Sequence, residues 1–120
     1  MSKHNIFTIR EITSTEHESV ASIDLDAEDL VFKGHFPNQP VLPGVIMLKI
    51  IIECACEIKA EKLQLRKVIQ AKYLQFVDPR QYPLIQCKLN FSKDQNGWKI
   101  NALFFHSDVT FSKILLICAA

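Results

Sequence analysis

One histidine and two ionisable residues further along the chain have the types and spacing that could do chemistry. His35 stands in the run Gly34-His35-Phe36-Pro37-Asn38-Gln39-Pro40-Val41-Leu42-Pro43-Gly44-Val45. An imidazole can take up a proton near neutral pH, because its reference pKa is about 6.5. Pro37, Pro40 and Pro43 each fix φ, so the backbone between His35 and Pro43 has little freedom. Such stiffness pre-organises the imidazole relative to whatever follows, as a catalytic base requires. Gly44 then stands where a helix begins, with an unhindered N–H beside the positive end of the helix dipole. That donor can polarise a carbonyl as negative charge builds on its oxygen. Lys49 and Glu53, four residues apart, share one face of the same helix.

These groups need elements to hold them. Asn5 to Thr13 reads as a first strand, and His17 to Asp26 as a second, half-buried one in which Ala21, Ile23 and Leu25 alternate with polar residues. Phe32 to Leu42 is a stiff irregular connection. Pro43 suits the first turn of a helix, and Val45 to Ile58 continues without a breaker, closing over Lys59 to Lys62. This helix is apolar almost all round, interrupted only by the stripe Lys49, Glu53 and Glu57, and so should be buried on most sides. Four strands are expected after it. Leu63 to Val77 is long and ends at the turn Asp78-Pro79-Arg80, and Pro83 to Ser92 alternates. Asn96-Gly97 reads as a hairpin turn, since both residues tolerate φ > 0, and Trp98 to Phe104 returns from it. After His106-Ser107-Asp108, Val109 to Cys118 is apolar on both faces, as in a central strand or one covered by a partner. The pattern is one α+β domain over residues 1–120, an antiparallel sheet curling around a single helix.

Composition narrows the function. Fourteen basic and thirteen acidic residues nearly cancel, so general attraction to nucleic acid is not implied. Hydrophobic residues at 48% suffice for a core, and no apolar run is long enough to span a bilayer. The N-terminus lacks the apolar stretch of a signal peptide, and Cys54, Cys56, Cys87 and Cys118 read as reduced thiols; both fit a cytoplasmic protein. Cys54 and Cys56 lie about 200° apart around a helix and cannot chelate one ion together, and no His/Cys cluster suggests a metal. His4, His17 and His106 read as surface or turn residues.

The run from Gly34 to Val45 closely resembles the signature of the FabZ-type (3R)-hydroxyacyl-acyl-carrier-protein dehydratases, which have the hotdog fold. Ala71-Lys72-Tyr73 and Val77-Asp78-Pro79 carry a weaker echo. The resemblance implies a hotdog domain, a curved antiparallel sheet around one central helix, and removal of water from a 3-hydroxyacyl thioester to give the trans-2-enoyl thioester in fatty-acid or related polyene or polyketide synthesis. It implies His35 as base, an acid on the helix, and the Gly44 N–H at the thioester carbonyl. Phe36, Pro37, Val41, Leu42, Pro43 and Val45 would contact substrate. No cofactor or metal is implied. The site would lie at the interface of a homodimer or higher oligomer, with a heterodimer also open, and an acyl carrier protein would deliver the chain.

The family's acid is a glutamate fourteen residues after the motif histidine, which here is Lys49; a frequent glutamine one turn on is Glu53. Three readings stay open. Glu53 could be the acid with Lys49 positioning it, or Lys49 could donate if burial lowered its pKa, although a cation beside Glu53 favours its ionised form. Lys49 and Glu53 could instead form an internal ion pair, leaving an acyl-binding or partner subunit without chemistry of its own. An acyl-thioesterase on the same scaffold is the third. Lys59, Lys62, Arg66, Lys67 and Lys72 form a basic cluster suited to an acidic carrier protein, and Leu74 and Phe76 could line an acyl tunnel.

Overall fold

The computed structural model describes residues 6–29, 32 and 40–120, which form a single antiparallel sheet and a helix packed on it. The elements are β1 (Phe7–Ser14), β2 (Ser19–Leu25), α1 (Gly44–Lys59), β3 (Gln64–Tyr73), β4 (Leu84–Asp94), β5 (Gly97–His106) and β6 (Val109–Ala119). The six strands lie in the order β1-β2-β4-β5-β6-β3. This is the expected α+β architecture, and the strand that is apolar on both faces, β6, does lie inside the sheet.

Alternation along β2 and β4 puts Ala21, Ile23, Ile85, Cys87 and Leu89 into the core, and β5 and β6 add Ile100, Phe104, Ile114 and Leu116. Helix α1 meets this face with Met47, Ile50, Ile51, Cys54 and Ala55, all buried. The Ser112 hydroxyl donates to Met47 Sδ at 3.3 Å, a polar contact inside an otherwise apolar seam. The helix is less enclosed than its composition suggests: Val45 is 71% exposed and Lys49 is open to solvent. One flank of α1 lies uncovered by the described residues.

Two helix ends are held differently. At the start, Pro43 is the N-cap with φ −65° and supplies no side-chain cap; its carbonyl accepts from the N–H of Ile46 and Met47. At the end, Ala60 adopts φ 53°, and the Glu61 N–H donates to the Cys56 carbonyl. Cys56 Sγ also accepts from the Leu63 N–H, which ties the helix end to the start of β3.

The long strand expected over Leu63 to Val77 ends sooner, at Tyr73, because Leu74 and Gln75 both donate to the single carbonyl of Phe111 instead of continuing the ladder. The hairpin turn also moves by one residue. Asp94 pairs with Gly97, so the loop is Gln95-Asn96, and Gln95 takes the positive φ of 45°. Gly97 has no positive φ; it is a strand residue pressed against β6. A Cβ there would fall 2.1 Å from the Cys118 carbonyl oxygen and 2.8 Å from Ala119 Cβ. The glycine is thus required by close approach of backbone, and not by turn geometry.

The turn at Asp78 forms as expected. Its carboxylate accepts from the Arg80 backbone N–H at 2.9 Å and from the guanidinium at 3.0 and 3.2 Å. Those bonds hold the Asp78 carboxyl below its usual range. Gly97→Ala should destabilise the fold by about 1–3 kcal/mol, since β5 and β6 must separate to admit the methyl group. Urea unfolding midpoints measure it, and a midpoint equal to that of the native chain would mean the strands yield without cost.

Candidate active site

The start of α1 is tied to a segment far along the chain. The Leu42 N–H donates to the Val77 carbonyl at 2.8 Å, tying the segment before the helix to the segment after β3. As the first residues of a helix with no side-chain cap, Gly44 and Val45 present N–H groups that no helical carbonyl can accept. Both residues line an apolar cavity of about 490 Å³ whose wall also includes Val41, Leu42 and Pro43. Four of the residues expected to contact substrate therefore share one cavity with Gly44. Gln75 and Phe76 also line it. Leu74 is more than half exposed and is not part of that wall.

His35, Phe36 and Pro37 lie outside the described residues, as does His4. The expected base and two of the expected contact residues therefore rest on sequence alone, and only the C-terminal half of the motif has geometry.

Lys49 and Glu53 share the wall of a second apolar cavity, of about 560 Å³, with Val45, Leu48, Ile52 and Leu65. Val45 and Leu48 border both cavities, so the ionisable stripe begins one turn from the Gly44 end. Glu53 is half-buried, and its Oε2 atom is sealed from solvent. Lys49 is exposed and, among the described residues, enters no ion pair. No Lys49–Glu53 ion pair is formed in the single chain. Glu57, one turn past Glu53, reaches solvent.

Burial holds two of the thiols in their protonated form. Burial, with Glu57 and then Glu53 adding to it, pushes the Cys54 thiol up to about 12, and burial also raises that of Cys87 well above its usual value. The cysteines are free, with Cys54, Cys87 and Cys118 buried in the core. Among the described residues no group of three or more His, Cys, Asp or Glu is placed to hold a metal ion.

The basic cluster divides. Lys59 lies over the rings of Trp98 at 3.9 Å and Phe91 at 4.5 Å, so it belongs to the packing at the end of α1. Lys72 stands with Asn101 and Lys113 in a shallow site bordered by β3, β5 and β6. Arg66 donates to the Ala120 carbonyl, while Lys62 and Lys67 are exposed. His106 is likewise not a free surface residue: its ring packs 5.7 Å from that of Tyr82, with Nδ1 buried.

Tyr73, known from the sequence only as part of a weak echo, is the residue that the fold brings to the site. It reaches over the start of α1 from the end of β3, and no local pattern could place it there, because the contact spans nearly thirty residues.

Comparison with known proteins agrees with this architecture. A family model described as ApeI-like, ApeI dehydratase, matches residues 11–112. The 3-hydroxyacyl-[acyl-carrier-protein] dehydratase FabZ of Rhodospirillum rubrum is 31% identical over 80 residues, covering 60% of this chain and 50% of that protein. The FabZ of Acidiphilium cryptum is 25% identical over 88 residues, covering 67% and 53%. The chain thus spans about half the length of the curated relatives it matches. Among solved structures, a chain of the dehydratase heterocomplex ApeI:P from Xenorhabdus doucetiae superposes with a TM-score of 0.72 at 20% identity, covering 94% of this chain and 97% of that one. An uncharacterized protein from Erwinia carotovora gives 0.65 at 20% identity, covering 95% and 94%. A curved antiparallel sheet with one helix packed on it, shared across these structures, is the hotdog fold, and with a family model matched over most of its length the chain belongs to the ApeI-like dehydratases, of FabZ type.

Proposed function

We propose that this chain removes water from a (3R)-hydroxyacyl thioester, presented on an acyl carrier protein, to give the trans-2-enoyl thioester. The observation that carries this reading is the uncapped helix start at Gly44, opening onto an apolar cavity nine residues after His35 in one stiff motif. A thioester carbonyl at the Gly44 N–H would place its acyl chain along Val41, Leu42 and Phe76, where apolar contact favours it.

In this reading the His35 imidazole takes the proton from C2. The electrons of that bond move toward the carbonyl, and the oxygen gains charge beside the Gly44 N–H and the positive end of α1. The C3–O bond then breaks, C2=C3 forms, and the hydroxyl leaves as water with a proton from the acid. Glu53, half-buried one turn beyond the family's usual position, is the residue assigned to give that proton, with Lys49 one turn before it on the same cavity wall.

The site needs a second chain. β3 is exposed along its whole length, with Val68 and Ile69 open to solvent, and Leu65, Tyr73 and Phe76 stand exposed in cavity walls that they share with Val45 of the helix. An edge strand and a helix flank with this much uncovered apolar surface call for a partner. A second copy, packed on this face, would cover Lys49 and Glu53 and bring each helix toward the partner's motif.

One observation favours a second reading. Lys49 is an exposed cation in the middle of this apolar face, at the position where the family resemblance places a glutamate. A related but different chain carrying that acid would satisfy it, which makes this protein the acyl-binding half of a mixed pair.

Three outcomes are expected. The protein hydrates a carrier-bound enoyl thioester, read as loss of the conjugated ultraviolet band, and His35→Ala abolishes the reaction. No turnover above the His35→Ala background with any chain length sinks the activity, and release of free thiol would point to a thioesterase. Lys49→Glu lowers turnover about 100-fold if lysine works with Glu53; a gain instead favours the mixed-pair reading. Sedimentation equilibrium of the isolated protein gives a dimer or larger assembly that Leu65→Asp weakens at least tenfold; a monomer at all concentrations excludes self-association through β3.

A further inference from the structure

The Tyr73 side chain has a position that packing alone does not explain. A Cβ at Gly44 would fall 2.6 Å from Tyr73 Oη and 3.0 Å from Cζ. The hydroxyl therefore rests against the Cα of the first helical residue, in the space that the missing side chain leaves. Tyr73 is 54% exposed, so its hydroxyl was not forced there by burial. Among the described residues it has no hydrogen-bond partner, although it lies at the helix end where unaccepted N–H groups converge. It also lines the same cavity as Gly44. The phenol is anchored from behind, because β3 pairs Tyr73 with Ser112 and the Leu74 N–H donates to Phe111.

We propose that Tyr73 is a second hydrogen-bond donor to the substrate's carbonyl oxygen, acting beside the Gly44 N–H. This deepens, and rests on, the dehydratase reading above. When His35 takes the C2 proton, charge accumulates on the carbonyl oxygen; two donors converging on that oxygen stabilise it more than either one. Tyr73 keeps its own proton throughout and gives only a hydrogen bond, so the atoms balance as already written. Gly44 acquires a second role: without a side chain it admits the phenol to the helix terminus.

Tyr73→Phe keeps the ring and removes the donor. Turnover of the enoyl thioester should fall on the order of 10- to 100-fold, with KM changing less than about threefold. Gly44→Ala should also lower turnover by displacing the hydroxyl, and should cost less when added to Tyr73→Phe than when made alone, because the two changes remove one shared contact. A purely structural tyrosine would leave kcat of Tyr73→Phe unchanged, and that result overturns the proposal. If the native protein shows no turnover above His35→Ala, the dehydratase reading has failed, and the carbonyl stretch of a bound carbon-13-labelled acyl thioester decides the role of Tyr73. The band should move to higher frequency in Tyr73→Phe. An unchanged band, or no binding of the thioester, overturns it.

Discussion

The burial of one face of α1 against the concave sheet is the contact on which the rest of the molecule depends. Met47, Ile50, Ile51, Cys54 and Ala55 are buried in one core with the inward residues of the sheet, Ile23, Ile85, Ile100 and Ile114 among them. Fully burying one such isoleucine or methionine contributes about 1.5–3 kcal/mol, so this seam outweighs any polar contact in the chain. It fixes the rotation of the helix about its axis. With that rotation set, Gly44 must face the apolar cavity, and Lys49 and Glu53 must face the uncovered flank. The chemistry is thus placed by hydrophobic packing on the opposite side of the same cylinder.

The same constraint explains why the chain looks unfinished. A helix that is apolar on most sides has more surface to bury than one sheet can cover. The surplus, with Val45 at its centre, adjoins β3, an edge strand exposed on all ten residues. Its pairing with β6 is irregular at two points, Arg66 and Ile69, as in the bulges that bend and twist an edge strand. Exposed apolar surface of this kind is continuous with both cavities, which is why completion of the site and association are one question. A cation in that surface is costly to cover unless an opposite charge meets it, so Lys49 bears on the choice of partner as much as on catalysis.

Much of the fold could be read from residue order. Alternation identified β2, β4 and β5, the absence of breakers identified α1, and Pro43 marked its start within one residue. The departures have local causes. Gly97 drew the turn prediction because glycine tolerates positive φ, yet its actual use is to let two backbones meet, a need that arises only once β6 is paired beside β5. The strand after the helix ends at Tyr73 because a carbonyl from β6 captures two successive N–H groups, and no sequence window contains both partners. Lys59 seemed one more charge in a basic cluster until the rings of Phe91 and Trp98, from a distant hairpin, closed on it.

The sequence by itself determined the α+β class, the helix, the motif around His35 and the anomalous lysine. All of these rest on spacing within a few residues, and local sterics and periodicity act over that range. Only the tertiary structure decided which cavity Gly44 faces, that Lys49 stays exposed beside a half-buried Glu53, and that Tyr73 lies against the helix start. These are contacts between segments far apart in the chain, and they are set by how the buried face of α1 seats in the sheet, which no short stretch of residues encodes.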